Sequence, residues 1–231
     1  MNHFVVSAAL ASLSSFVAAV CLWLKGSARP ANRLGGLYWF SIAFWASFVG
    51  SQPHSITMLS PFWWGWLLHL GCTFIPVLLF HYTIVLTNQR SQALRVALKL
   101  SYLLTTVFNL LNLVTSTFTH GMAYRDTYAY PVPSFVFPVY FILFVALVIW
   151  STALMVRYLP SVPSPERSAF KFLLITHVFA YLGGIDNFLI MVDIRLFPLY
   201  PYGLYMIPLY ALAAISVAAQ RRAPILSTSP T

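Results

Sequence analysis

The sequence predicts an all-α, polytopic membrane protein with seven transmembrane helices, its N-terminus outside and its C-terminus cytoplasmic. Three observations carry this. Sixty per cent of the residues, 60%, are hydrophobic. The apolar residues gather in runs of bilayer-spanning length, at roughly 4 to 24, 34 to 50, 62 to 86, 96 to 118, 135 to 157, 170 to 191 and 197 to 219. Of the 13 lysines and arginines, all but Arg125 and Arg195 fall in four clusters between or after those runs. The runs are apolar nearly all round, unlike the one-sided helices of a water-soluble core.

Span one is preceded by no Lys or Arg and followed by Lys25, Arg29 and Arg33, the reverse of a secretory signal, so it reads as a retained helix. Ser7, Ala11, Ser15 and Ala19 recur every fourth residue and give it a face for close helix packing. The same three basic residues precede span two, Arg90, Arg95 and Lys99 lie between spans three and four, Arg157, Arg167 and Lys171 between five and six, and Arg221 and Arg222 follow seven. Because Lys and Arg near span ends are retained on the cytoplasmic side, this asymmetry sets the orientation. Residues 1–222 therefore form one seven-transmembrane helical domain and 223–231 a short cytoplasmic tail. Trp63, Trp64 and Trp66 open span three, and with Tyr124, Tyr128, Tyr130 and Tyr200 they mark an outer aromatic belt. The connections at 119–134 and 158–169 read as Pro-containing turns.

Polar groups at span depth are costly in lipid and mark either function or interhelical hydrogen bonding. Thr105, Asn109, Asn112 and Ser116 line one face of span four, which must point inward. With helix directions set by topology, His69, Asn112, Asp186, Asn187, Tyr202 and Tyr205 fall in one outer layer, the candidate ligand-sensing residues. Gly183 and Gly184 before Asp186, and Pro201 before Tyr202, are places where backbone could open toward a cavity. The plainer reading pairs Asp186 with His69 or a tyrosine as structural glue. An inner layer holds His81 and His177, for which a proton relay stands beside simple packing; two ligands without a carboxylate or cysteine make a poor metal site. Cys21 and Cys72 read as small packing residues. No metal and no cofactor is expected.

The net charge of +9 is spread over the inner rims with no basic arm, which points to membrane lipid, anionic lipid of the inner leaflet in particular, and to no nucleic acid. Hydrolase, zinc-protease and phosphate-loop motifs are missing, and span seven has no lysine for a retinal Schiff base, so the chain does not read as an enzyme.

Ile75-Pro76-Val77-Leu78-Leu79-Phe80-His81-Tyr82 with Leu86-Thr87, Gly183-Gly184-Ile185-Asp186-Asn187-Phe188, Tyr200-Pro201-Tyr202-Gly203 and Tyr210-Ala211-Leu212-Ala213-Ala214 before Arg221-Arg222 occur in span order. Together they resemble the N-terminal seven-transmembrane sensor region of bacterial histidine kinases. The resemblance implies a multi-pass input module of the inner (plasma) membrane, detecting an unknown extracytoplasmic or membrane-borne ligand and signalling to a cytoplasmic kinase or other output protein. The family's phosphoacceptor-histidine segment and ATP-binding domain have no counterpart in these 231 residues, which implies a stand-alone relative or an excised input module. The alternative function is a small-molecule transporter or channel, with an assembly subunit behind it; clear helix breaks only in spans six and seven favour a pocket over a pathway.

The predicted orientation is checked by thiol labelling in intact cells. Cysteines introduced near Pro53 and Tyr124 react with an impermeant reagent and one near Ser91 does not; labelling at Ser91 alone inverts the topology.

Overall fold

The computed structural model describes residues 3–25, 29–50, 61–125, 128–189, 191, 194 and 203–220. In order these form helices α1 (His3–Leu24), α2 (Pro30–Gly50), α3 (Pro61–Leu86) and α4 (Gln92–Val114), strands β1 (Thr119–Arg125) and β2 (Tyr128–Pro133), and helix α5 (Phe137–Tyr158). After a 3-10 turn at Leu159–Ser161 come α6 (Ser164–Gly184), a single helical turn at Asp186–Leu189 and α7 (Gly203–Gln220). Six of these helices are long and apolar enough to cross a membrane. The exception is α2, which at 21 residues is long enough but is held down in hydropathy by Arg33, Tyr38, Trp39 and Trp45. The tail from Arg221 lies outside the described residues, as do Pro53, Arg195 and the expected opening of span seven with Tyr200 and Pro201.

Local chemistry sets the helix ends, and it shifts several expected boundaries. α4 starts at Gln92 because Ser91 caps it, its Oγ accepting from the Leu94 amide at 3.2 Å. Arg95 and Lys99 therefore project from the helix itself. α3 stops where Asn88 takes a left-handed conformation (φ 53°), with Asn88 N–H bonded to Val85 O and Gln89 N–H to Ile84 O, a Schellman termination. α6 begins earlier than expected, at Ser164, with Pro165 and Glu166 in its first turn, where a missing N–H costs nothing and a carboxylate suits the dipole.

The connection at 119–134 is not a run of turns. It is an antiparallel hairpin that pairs Arg125 with Tyr128 and Ala123 with Tyr130, with an irregularity between Thr119 and Met122. Its tyrosines and Thr119 suit a pleated surface, and Pro131 and Pro133 are tolerated because each strand of a two-stranded ribbon has an outer edge whose N–H groups the ladder does not use.

In the bundle α1 packs between α2 and α7, α2 meets α3, α3 meets α5 and carries α4 on its outer flank, and α6 lies along α7. α5 and α6 touch only lightly. The surface is apolar and the interior partly polar, as lipid demands: on α4, Leu103, Leu110 and Val114 are exposed whereas Thr105, Asn109 and Asn112 are buried. Ser116 of the expected polar face is exposed. Small residues permit the closest contacts. Ser7, Ala11, Ser15 and Ala19 of α1 are all buried, and a Cβ on Gly71 of α3 would stand 2.9 Å from the Trp45 amide of α2. Gly183 of α6 and Gly203 of α7 lie backbone to backbone, and a Cβ on either would overlap the other.

Pro76 inside α3 has no N–H, so the Cys72 carbonyl one turn earlier loses its helical donor. Tyr140 of α5 supplies a replacement, its hydroxyl donating to Cys72 O at 3.0 Å. The same ring, fully buried, sits in an aromatic cluster with Phe108, Phe118, Phe137 and Phe144. A helix break on one element thus creates the bond that holds its neighbour.

Tyr140→Phe strands that carbonyl and lowers stability in detergent by about 1–3 kcal/mol. In a Pro76→Ala background the restored amide refills the carbonyl, so the same change costs clearly less; equal costs in both backgrounds refute the pairing.

Candidate functional site

Five side chains from four helices form one hydrogen-bonded chain in the bundle interior. Tyr181 (α6) and Tyr38 (α2) share a bond of 2.9 Å, Tyr38 donates to Tyr210 (α7) at 3.3 Å, and Tyr210 meets His177 Nδ1 (α6) at 3.1 Å. His177 Nε2 lies 2.9 Å from Thr152 Oγ1 (α5), whose hydroxyl donates to the Val148 carbonyl at 2.8 Å. The directions follow from that last bond. Thr152 has a single proton and gives it to Val148, so it accepts from His177, and Nε2 carries the imidazole proton. Nδ1 is then an acceptor for Tyr210, Tyr210 accepts from Tyr38, and Tyr38 accepts from Tyr181. Every donor points one way, from α6 through α2 and α7 back to α6 and on to α5, with a neutral imidazole in the middle.

His177, Tyr38 and Tyr210 are almost completely buried. Tyr38 also stacks on Tyr82 with ring centroids 6.2 Å apart, and Trp39 tilts against Tyr210 at 4.7 Å. Beside the chain is a cavity of about 60 Å³ bordered by Tyr38, Cys72, Tyr181, Phe188, Leu204 and Tyr210. It has room for only a few waters at the usual ~10–15 Å³ each.

A second cavity, of about 380 Å³, opens under the hairpin between α3 and α4, where Trp66, Asn112, Thr115, Thr119 and Met122 face it. Asn112 Oδ1 accepts from Thr119 at 3.3 Å, while its Nδ2 and the Trp66 indole N–H are buried with no partner among the described residues. Below them Asn109 donates to Thr73 Oγ1 at 2.6 Å and Thr73 donates to the His69 carbonyl at 2.8 Å, joining α4 to α3.

The described members of the expected outer layer make separate contacts. His69 is buried, bonds its own helix through Gly65 O at 2.8 Å and stands edge-on to Phe118 and Phe137. Asn112 borders the hairpin cavity, so these two share the α3–α4 seam. Asn187 lies on the turn after α6 and donates locally to Gly184 O at 3.3 Å, and Tyr205 of α7 donates to His3 O of α1 at 3.3 Å. Tyr202 and the side chain of Asp186 lie outside the described residues. Of the inner layer, His81 pairs with Tyr102 across the α3–α4 seam at 3.0 Å, and His177 occupies the central chain, so the two histidines serve different seams. Tyr38, Thr152 and Tyr181 lie in none of the quoted strings and Tyr210 opens one without being singled out as a site residue; for the three tyrosines, only the choice of tyrosine over phenylalanine in apolar spans hinted that each hydroxyl has a partner. Among the described residues no group of three or more His, Cys, Asp or Glu could hold a metal ion.

A bundle of apolar helices with an outward-facing lipid surface and a polar centre defines a multi-pass membrane protein. Residues 7–221 match the model of the family described as the N-terminal 7TM region of histidine kinase, and the chain belongs to that family. The matched region is the sensory input portion of histidine kinases, not their catalytic one. No curated protein and no solved structure matches it.

The direction of the chain ranks its members. Tyr210→Phe strands both His177 Nδ1 and the Tyr38 hydroxyl and lowers stability by about 1–2 kcal/mol, whereas Tyr181→Phe removes only the terminal donor and costs about 0.5 kcal/mol. Chemical-denaturation midpoints in detergent give the order, and a reversed order contradicts the assigned directions.

Proposed function

We propose that the protein is the sensory input module of a two-component-type system in the inner (plasma) membrane, with its N-terminus outside. It receives an extracytoplasmic or membrane-borne signal and passes a conformational change to a cytoplasmic kinase or other output protein. Family membership supports the sensory class. The observation that carries the mechanism is the directional chain, because it fastens α7, the helix that leads to Arg221 and Arg222, to α2 and α6 through one side chain, Tyr210, and through His177 to α5.

An input helix has to have two arrangements that the signal can bias. α7 carries the features of such an element. It crosses α6 at a glycine-on-glycine contact that sets no side-chain register, it contains Pro208 in its interior, and its polar anchorage sits two residues beyond that proline. Rotating α7 breaks the Tyr210 bonds together, so the chain favours discrete positions over continuous drift. The outer residues His69, Asn112, Asp186, Asn187, Tyr202 and Tyr205 are the proposed sensing layer above it, and His81 and His177 the inner one. The alternative of a transporter gains nothing from the hairpin cavity or the central one, which have α3 in common but share no lining residue.

Spin labels at Ser164 and Gln220, the proposed cytoplasmic ends of α6 and α7, report the movement in lipid. Tyr210→Phe broadens or shifts their distance distribution, and Asp186→Asn does the same from the outer side while the protein stays folded. Distributions unchanged by both substitutions would overturn the signalling reading.

A further inference from the structure

The light contact between α5 and α6 leaves a cleft of about 560 Å³ that opens sideways out of the bundle. Its walls are Val145, Val148 and Ile149 of α5 and Val178 and Leu182 of α6, all apolar. Its floor is polar: Thr152, His177 and Tyr181, the α5–α6 part of the central chain, line it. Arg157, in the last turn of α5, closes one end, exposed and with no hydrogen-bond or ion-pair partner among the described residues. Along α5 the lining runs from Phe144 to Arg157, about 20 Å at 1.5 Å per residue. One leaflet of hydrocarbon is about 15 Å deep, half of a ~30 Å core.

We propose that this cleft is a binding site for an anionic phospholipid of the cytoplasmic leaflet, with one acyl chain between α5 and α6 and its phosphate at Arg157. The cleft's length, its apolar walls and a single unpaired guanidinium at the rim match a long chain ending in an acid. A polar solute gains nothing from those walls, and a second helix would have to bring its own partner for Arg157. The headgroup end lies on the side that the basic asymmetry makes cytoplasmic, where acidic lipids supply the negative surface. Packing the chain against Thr152, His177 and Tyr181 makes the lipid a contact of the very groups that anchor α7. Lipid occupancy then sets how far α5 and α6 stand apart, and through His177 and Tyr210 the position of α7. This step names the signal for the sensory function proposed above and rests on that reading only for its consequence; the binding itself is tested without any output.

The purified chain is reconstituted in phosphatidylcholine bilayers doped with phosphatidylglycerol that carries a diazirine in its acyl chain, irradiated and mapped by peptide mass spectrometry. The expected adducts concentrate on Val148, Ile149 and Val178, above those on the exposed leucines Leu103 and Leu110 of α4. Excess unlabelled phosphatidylglycerol removes them and excess phosphatidylcholine does not. Arg157→Gln, on an exposed position that leaves the fold alone, lowers them about fivefold, the value of one basic residue at an anionic surface. Ala153→Trp, which fills the cleft, abolishes them, and its melting curve against the wild type separates a blocked site from an unfolded one. Equal labelling of α4 and the cleft, or labelling indifferent to both Arg157→Gln and headgroup charge, overturns the site. Cleft labelling that obeys these rules, with α7 distances independent of lipid, leaves the site standing and removes the signalling reading instead.

Discussion

A polar group inside a bilayer has only protein to pair with, and this constraint organises the structure from its helix breaks to its centre. Pro76 opens a carbonyl at Cys72, and Tyr140 must come from α5 to close it. That requirement fixes the rotation of α5 on α3 and brings the Tyr140 ring into the aromatic cluster around Phe118 and Phe137. The same logic runs through α4, whose Asn109 is tied to α3 by Thr73 while its leucines face outward. Apolar packing alone distinguishes poorly between helix rotations in lipid, since the solvent is as apolar as the side chains. Hydrogen bonds and small-residue contacts therefore specify the arrangement.

The two devices divide the bundle. On the α1–α2–α3 side, glycine, alanine and serine bring backbones together, and Gly71 against Trp45 leaves no space for even one added carbon to settle without a shift. At the α5–α6 seam packing is looser, a cleft lies along it, and long-range hydrogen bonds replace contact area, while α6 and α7 still meet backbone to backbone at Gly183 and Gly203. Local stability follows the number of interactions that must break together, and the α5–α6 seam has the fewest of the adjacent helix pairs in that part of the bundle.

Much of this was legible in the sequence because lipid leaves strong signs. Helix number and order and the inward placing of Thr105, Asn109 and Asn112 on α4 follow from hydropathy, although six of the seven helices and not α2 are apolar enough to cross a membrane, and the family resemblance rests on short strings such as those around Pro76 and Gly183 within the matched region. The hairpin was not legible: its strands are short, contain prolines and offer no turn dipeptide, and their pairing shows only in three dimensions. The central chain was half legible. His177 stood out as a buried histidine, but its matching with His81 by depth was misleading, since depth along a helix says nothing about which neighbour a side chain faces. Tyr38 and Tyr210 are 172 positions apart, a separation no local pattern reports. Tyr205 was grouped with Asn112 by depth and faces α1 instead, for the same reason.

The direction of the hydrogen bonds gives the chain a property that a set of apolar contacts lacks. Because each hydroxyl both accepts and donates, removing or reversing one bond changes what its neighbours can do, and the change propagates through His177, whose two ring nitrogens hold opposite roles. The imidazole therefore compares the positions of α5 and α7: Thr152 must lie where Nε2 can donate and Tyr210 where Nδ1 can accept, both within about one ring's width. An apolar occupant that parts α5 from α6 stretches the first bond, and a rotation of α7 stretches the second. One rigid five-membered ring cannot follow both, so in the proposed mechanism the two displacements would be coupled through it, which is what a helix bundle needs if an event on its lipid-facing flank is to be felt at the far end of α7.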